Sequence, residues 1–139
     1  MRAVVGRWWP WIALVVAAAA GGCGAPAEPA VRAAADGFLG DLRDGRWEAA
    51  YARLHVDRQV ECSSAARLSE LVVASGEQPL SWRLREPRVR THTALITGEV
   101  TTAGGGGTGI VELAFDRVGD RWQITAWSAS NRELCRLGG

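Results

Sequence analysis

Three cysteines, Cys23, Cys62 and Cys135, are the residues of this chain with the most direct chemistry. A thiol can be acylated, can couple with a second thiol, or can bind a metal ion as a thiolate. Zinc in proteins takes four ligands in a tetrahedral set, and neither Cys62 nor Cys135 has a histidine beside it. The two histidines, His55 and His92, are also far apart in the sequence. We therefore expect no metal site.

The N-terminal 22 residues have the pattern of an export signal. Arg2 and Arg7 precede an apolar run from Trp8 to Ala20 that contains no acidic residue. The run is shorter than the roughly 20 residues that span a bilayer. A basic start, a short apolar run and small residues before a cleavage point are typical of a secretory signal peptide. An uncleaved anchor is the alternative interpretation.

The residues Ala20-Gly21-Gly22-Cys23 resemble the lipobox of bacterial lipoproteins, in which the cysteine is lipidated and becomes the mature N-terminus. That family prefers Leu where this chain has Ala20, whereas the two glycines fit its pattern. The resemblance implies removal of residues 1–22 and acyl chains such as palmitate on Cys23. Two acyl chains hold a protein on a membrane stably, whereas one holds weakly. We expect residues 23–29 to form a non-helical tether, residues 30–139 to form the domain, and the protein to lie on the extracytoplasmic face of the cell membrane.

Export determines how Cys62 and Cys135 are interpreted. Exported proteins meet oxidising conditions, where an even pair of cysteines predicts a disulfide. The bond would close a loop of roughly 70 residues, which stabilises a fold by about 4 kcal/mol in the chain-entropy model.

The charge of the processed chain is close to neutral. All 16 basic residues are arginines, and the two in the signal leave fourteen against 15 carboxylates. Nucleic-acid binding relies on a strong positive surplus, so we expect no nucleic-acid partner.

Apolar residues after Ala30 repeat with helical spacing. The first stripe ends before Gly45, a shorter one runs from Trp47 to Leu54, and a third extends from Ser63, a predicted N-cap, to Ala74. Arg32, Asp36, Asp41 and Arg43 lie off the first stripe. The members of that stripe are Val31, Ala34, Ala35, Phe38, Leu39 and Leu42.

After Pro79 the apolar residues alternate, which predicts strands. Leu80, Trp82 and Leu84 share one face, and Glu86-Pro87 then shifts the inward positions to odd numbers as far as Leu95, as a bulge would. Further strands are predicted at 111–115 and 122–126. Helices followed by about four antiparallel strands predict an α+β fold, with a helix layer on a curved sheet.

Two longer stretches carry a family resemblance. The run ADGFLGDLRDGRWEAAYARL at 35–54 and the run VELAFDRVGDRWQITAWS at 111–128 resemble the NTF2-like cone (cystatin-like or SnoaL-like), as found in small actinobacterial lipoproteins with DUF4878-type domains. The resemblance implies a concave side that either holds a lipophilic small molecule or is filled as a core. Its lining would be Phe38, Leu42, Tyr51, Trp82, Leu84, Phe115 and Trp122.

Some members of that fold are isomerases or dehydratases with Asp, His or Tyr inside the cone. The candidates here are Tyr51, His55, Asp57 and His92, but no pair of carboxylates is evidently placed in the apolar interior for acid–base work. We therefore assign no catalytic residue and keep a small enzyme of this type as the alternative.

The glycine run formally contains G-x-G-x-x-G at Gly104, Gly106 and Gly109. A dinucleotide site needs a helix after this motif, so that the helix N-terminus meets the phosphates. Because Ile110 to Phe115 alternates like a strand, we predict a hairpin loop and no cofactor.

The outer face of the sheet is expected to mix apolar and basic residues. Ile96, Ile110 and Trp127 would lie there beside a row of arginines, and such composition is typical of interfaces. We expect a non-catalytic, lipid-anchored envelope protein that binds a lipophilic small molecule, or another envelope protein or a second copy through this face. The arginines are Arg83, Arg85, Arg88 and Arg90.

Overall fold

The computed structural model describes residues 26–105, 107–128 and Cys135. In this part of the chain, helices come first and strands follow, which confirms the predicted α+β class. The signal segment and Cys23 lie outside the described residues. The elements are α1 Ala27–Arg43, α2 Trp47–Ala52, α3 Val56–Cys62, α4 Ala65–Ser75, β1 Pro79–Leu84, β2 Arg88–Val89, β3 Thr93–Thr102, β4 Thr108–Val118 and β5 Arg121–Ser128.

Helix α1 begins at Ala27, so the prediction of a non-helical tether through residue 29 is wrong at its last three positions. Pro26 precedes the helix and Pro29 lies in its first turn. The N–H groups of the first turn have no partner within a helix, so a proline costs little there. The predicted stripe of α1 is confirmed, since Val31, Phe38 and Leu42 are fully buried.

The sequence pattern missed one helix, α3, and placed one cap wrongly. His55 precedes α3, and its Nδ1 accepts a hydrogen bond from the Asp57 N–H (3.3 Å). The exposed Val56 and Val60 give α3 no inward stripe to detect. The N-cap of α4 is Ser64 rather than Ser63, because the Ser64 side chain accepts from the Arg67 N–H.

The sheet is antiparallel in the order β1-β3-β4-β5, and β2 also pairs with β3. The chain reverses at 90–93, where the Arg90 N–H donates to the Thr93 carbonyl. The predicted odd inward positions are therefore wrong from this turn onward, whereas Val89, before the turn, packs against the core. The turn resets the alternation, and Ala94, Ile96 and Val100 face the core instead.

Gly98 allows the sheet to close against β1. A Cβ at this position would press on the Arg83 carbonyl oxygen and would lie 2.9 Å from the Leu84 Cα. A side chain is excluded by backbone atoms, so the glycine permits a close approach that other residues would prevent.

The core lies between the helix layer and the inner face of the sheet. Phe38 meets Trp127 edge-on, with ring centroids 5.5 Å apart. At one margin, a disulfide joins Cys62 to Cys135 across a Cα–Cα distance of 5.1 Å, as the cysteine pattern predicts.

Candidate functional site

The seven predicted pocket residues lie in or against the core. Phe38, Leu42 and Phe115 are at most 1% exposed. The other four, Tyr51, Trp82, Leu84 and Trp122, are half-buried and pack against the same cluster. Trp82 is further fixed to α1: its indole N–H donates to Asp36 (2.9 Å), and the Arg43 guanidinium lies 5.2 Å from its ring. These side chains fill space and do not surround an open chamber.

A small cavity of about 40 Å³ remains beside the disulfide. Ligand pockets typically measure roughly 300–1,000 Å³, whereas a water needs only about 10–15 Å³. Trp127 lines this cavity, and its buried indole N–H has no hydrogen-bond partner among the residues that the structure describes. Buried donors are normally paired, so the cavity suits an ordered water better than a lipophilic ligand. The other lining residues are Leu54, Arg58, Cys62, Leu68, Ile124, Thr125, Ala126 and Cys135.

The four candidates for acid–base chemistry hold separate positions in the fold. The Tyr51 hydroxyl donates to the Gln59 carbonyl oxygen (2.7 Å). His55 caps α3, and the Asp57 side chain is 75% exposed in the first turn of that helix. His92 is exposed on the turn before β3. The structure therefore brings no two of them together in the interior, and His55 and Asp57 meet at the surface.

A buried carboxylate that the sequence pattern placed off the apolar stripe lies near the end of α1. Asp41 is 4% exposed and is held by Arg46 (2.8 Å) and Arg53 (2.6 Å). The Arg53 guanidinium lies over Gly37, where a Cβ would come within 2.7 Å of it. Gly37, a glycine in the middle of a helix, is the sequence signal for this arrangement, because the absence of a side chain there leaves room for the Arg53 guanidinium. The cluster joins α1 to α2 and occupies both carboxylate oxygens of Asp41.

Asp44 extends the same cluster into solvent. Hydrogen bonds from Arg43 (2.8 Å) and Arg46 (2.7 Å) lower the pKa of its carboxyl from 3.8 to about 2. A positive partner favours the charged form of a carboxyl, and so lowers its pKa. The two arginines therefore keep Asp44 ionised well into the acid range.

The expected apolar patch on the outer sheet face is largely wrong. Ile96 is fully buried and Trp127 is 7% exposed, because both belong to the inner face. Of the three predicted interface residues, Ile110 is the exposed one, at 70%. The turn at 90–93 explains the error for Ile96, and a register shift beside Ala114 changes the alternation before Trp127.

An open cleft of about 560 Å³ lies between the start of α2 and α4. Trp47 lies in it half-buried, at the N-terminus of α2, with Arg46 beside it. The sequence placed Trp47 only in a core stripe, so this position was missed. The remaining lining residues are Gly45, Glu48, Ala49, Ala66 and Ser69.

The glycine motif is followed by β4, so the hairpin prediction is confirmed and no helix N-terminus meets it. Gly104 instead packs on Gly76, the left-handed cap of α4, and its N–H donates to the Gly76 carbonyl (2.9 Å). No cluster of three or more His, Cys, Asp or Glu side chains placed to hold a metal occurs in the described ranges. No helix within those ranges has the length and apolarity to cross a bilayer.

Comparisons with known proteins fit this geometry at the level of fold. No protein-family model and no curated protein matches the chain. Among solved structures, it is similar to an NTF-2 like protein of unknown function from Shewanella oneidensis, with a TM-score of 0.54 and 14% identity. The match covers 71% of this chain and 94% of that one. Helices backed by a curved antiparallel sheet, together with this likeness, show that the chain has an NTF2-like fold.

Proposed function

We propose that this is a lipid-anchored, extracytoplasmic protein whose NTF2-like domain is non-catalytic and binds another envelope protein. The observation that carries the proposal is the filled interior. The side chains expected to line a ligand chamber are packed together, and the cavity beside the disulfide, about 40 Å³, is far below the usual size of a ligand pocket. Recognition then falls to the outer surface.

The cleft between α2 and α4 is the surface that best suits a protein contact. Trp and Arg are enriched among residues that dominate binding energy, and Trp47 and Arg46 lie side by side here. Arg46 is already held by Asp41 and Asp44, so a partner would meet a fixed guanidinium and would lose less side-chain freedom on binding.

The membrane anchor is proposed from the sequence around Cys23 and from where the fold begins. The lipobox-like residues precede the first described helix by only a few positions. A lipid on Cys23 would hold the domain without a membrane-spanning helix, since buried acyl chains supply the affinity.

A photo-cross-linking residue in place of Trp47, in membranes of the native host, tests the proposal. We expect one protein partner to be captured there. A cross-linker in place of Val73, which is 57% exposed on α4, is the matched control and should capture none. Equal capture from both sites, or a lipophilic molecule retained in native mass spectrometry of the extracted protein, would contradict a protein-binding role. The same mass measurement reports the lipid on Cys23.

A further inference from the structure

Exposed arginines gather at the end of the sheet where β2 ends, β3 begins, and β4 and β5 meet. Thr93 pairs with Asp116 at this end, and the Arg117 N–H donates to the His92 carbonyl, so the turn at 90–93 lies beside the turn at 118–121. We call this surface the basic end. Its arginines are Arg85, Arg88, Arg90, Arg117 and Arg121, all exposed.

Helix α1 begins at the basic end. It runs antiparallel to β1: Gln78 binds the Leu42 carbonyl near the helix C-terminus, whereas Arg32 donates to the Leu84 and Arg85 carbonyls. Residues before Arg32 therefore extend past β1 toward β2. Pro26, the first residue of the described chain, thus lies on the side of the molecule that carries the arginines.

The charge balance of the basic end is positive. None of its five arginines forms an ion pair with any residue that the structure describes. Glu86 is occupied by Arg32. The other nearby carboxylates are Glu28, Glu112, Asp116 and Asp120, which leaves a surplus of one positive charge. Val118, 46% exposed, adds an apolar tip between Arg117 and Arg121. Basic side chains around an exposed apolar residue such as Val118 are suited to contact the phospholipid headgroup region of a bilayer.

The chain between Cys23 and Pro26 is too short to hold this end far from the anchor. Three residue steps span at most about 11 Å, and electrostatic attraction in physiological salt acts over roughly 8 Å. We propose that the basic end docks on the surface of an anionic phospholipid bilayer, which orients the domain with the C-terminal end of α1 pointing away. This inference rests on the proposed anchor at Cys23.

The test uses the processed protein extracted from host membranes and reconstituted in two kinds of vesicle. One contains phosphatidylcholine alone, and the other contains about 30% phosphatidylglycerol. Each arginine near an anionic surface strengthens association about fivefold. We expect slower hydrogen exchange in segments 85–93 and 116–122 on the anionic vesicles, and loss of that protection in about 0.5 M salt, where screening is stronger.

Variants locate the effect. Arg117→Gln/Arg121→Gln should lower the docking equilibrium about 25-fold, from two arginines at fivefold each, and abolish the protection. If the first double variant does not fold, Arg88→Gln/Arg90→Gln tests the same surface. The charge-matched control is Arg43→Gln/Arg67→Gln, since Arg43 lies at the opposite end of α1, about 25 Å away for 17 residues. The control should keep the protection.

The outcomes separate the two proposals. A lipid on Cys23 with equal exchange on both vesicles would overturn docking and leave the anchor standing. Absence of lipid on Cys23 would overturn the anchor, and the short-tether argument with it. Protection that grows with protein density on both vesicles would indicate contact between copies and would also overturn docking on lipid.

Discussion

Tyr51 and Gln59 each donate a side-chain hydrogen bond to the other's backbone carbonyl. The Tyr51 hydroxyl reaches the Gln59 oxygen (2.7 Å), and Gln59 Nε2 reaches the Tyr51 oxygen (3.0 Å). Gln59 Nε2 also donates to Leu54 (3.1 Å). The exchange fastens α3 to the end of α2, although α3 has almost no apolar face of its own. The only tyrosine of the chain therefore serves the fold.

Replacing Tyr51 with Phe should destabilise the protein by about 1 kcal/mol, because one hydrogen bond is lost while the ring remains. Urea unfolding of the two proteins measures the difference. The Gln59 carbonyl keeps a bond from the Ser63 N–H, so no larger effect is expected. In the Tyr51→Phe protein, backbone amide hydrogen exchange should become faster in α3 before it does in other elements. An unchanged midpoint would show that the Tyr51 hydroxyl adds nothing to stability.

Gly98→Ala should destabilise the protein by about 1–3 kcal/mol, the usual cost of forcing extra volume into a packed site. The new methyl would meet the backbone of Arg83 and Leu84, which cannot rotate away as a side chain could. Thermal unfolding provides the measurement. Gly40→Ala in α1 is the control: its nearest neighbour, an Arg46 nitrogen, would lie 3.9 Å from the new Cβ, and alanine favours a helix. Equal melting temperatures for the two variants would contradict the close approach at Gly98.

Breaking the disulfide should lower stability strongly. With a sequence separation of 73 between its cysteines, the bond stabilises by about 4 kcal/mol in the chain-entropy model. At roughly 4–8 °C per kcal/mol for a small domain, Cys135→Ser should lower the melting temperature by about 15 °C or more. Reductant should have the same effect on the parent protein and none on Cys62→Ser/Cys135→Ser. A parent melting curve that ignores reductant would argue against the bond.

Asp44 makes the stability of the folded state depend on pH in the acid range. Because hydrogen bonds from Arg43 and Arg46 lower its folded pKa to about 2, the folded state prefers the charged carboxyl. Its contribution is present above the unfolded value of 3.8 and is lost as the pH falls toward about 2. The difference in melting temperature between the parent and Asp44→Asn should therefore shrink across that interval. A constant difference from pH 5 to pH 2 would assign the effect to another group.

Periodicity predicted those parts of the fold in which one face is apolar. The stripe of α1 and the alternation in β4 mark buried faces, and both were predicted correctly. It failed where hydrogen bonds rather than apolar burial define the element, as for α3 and its His55 cap. It also failed where a turn resets the alternation, which reversed the assigned face of Ile96.

The candidate site was harder to predict for the same reason. Whether Phe38 and Phe115 line a chamber or fill it depends on how closely the layers approach, and composition does not encode that distance. The cleft at Trp47 is formed by residues of two helices that are distant in sequence. The buried Asp41 depends on two arginines reaching it from α2 and its flanks, and only the mid-helix Gly37 hinted at that arrangement.

The disulfide links an early helix to a residue beyond the last strand, and this has a consequence for biogenesis. In the exported protein that we propose, the N-terminal part of the chain leaves the reducing cytosol first, so the Cys62 thiol meets oxidising conditions before Cys135 does. During that interval Cys62 can couple with a wrong partner, such as the same thiol on a neighbouring chain. Early burial of Cys62 by the helix layer would protect against such cross-linked misassembly.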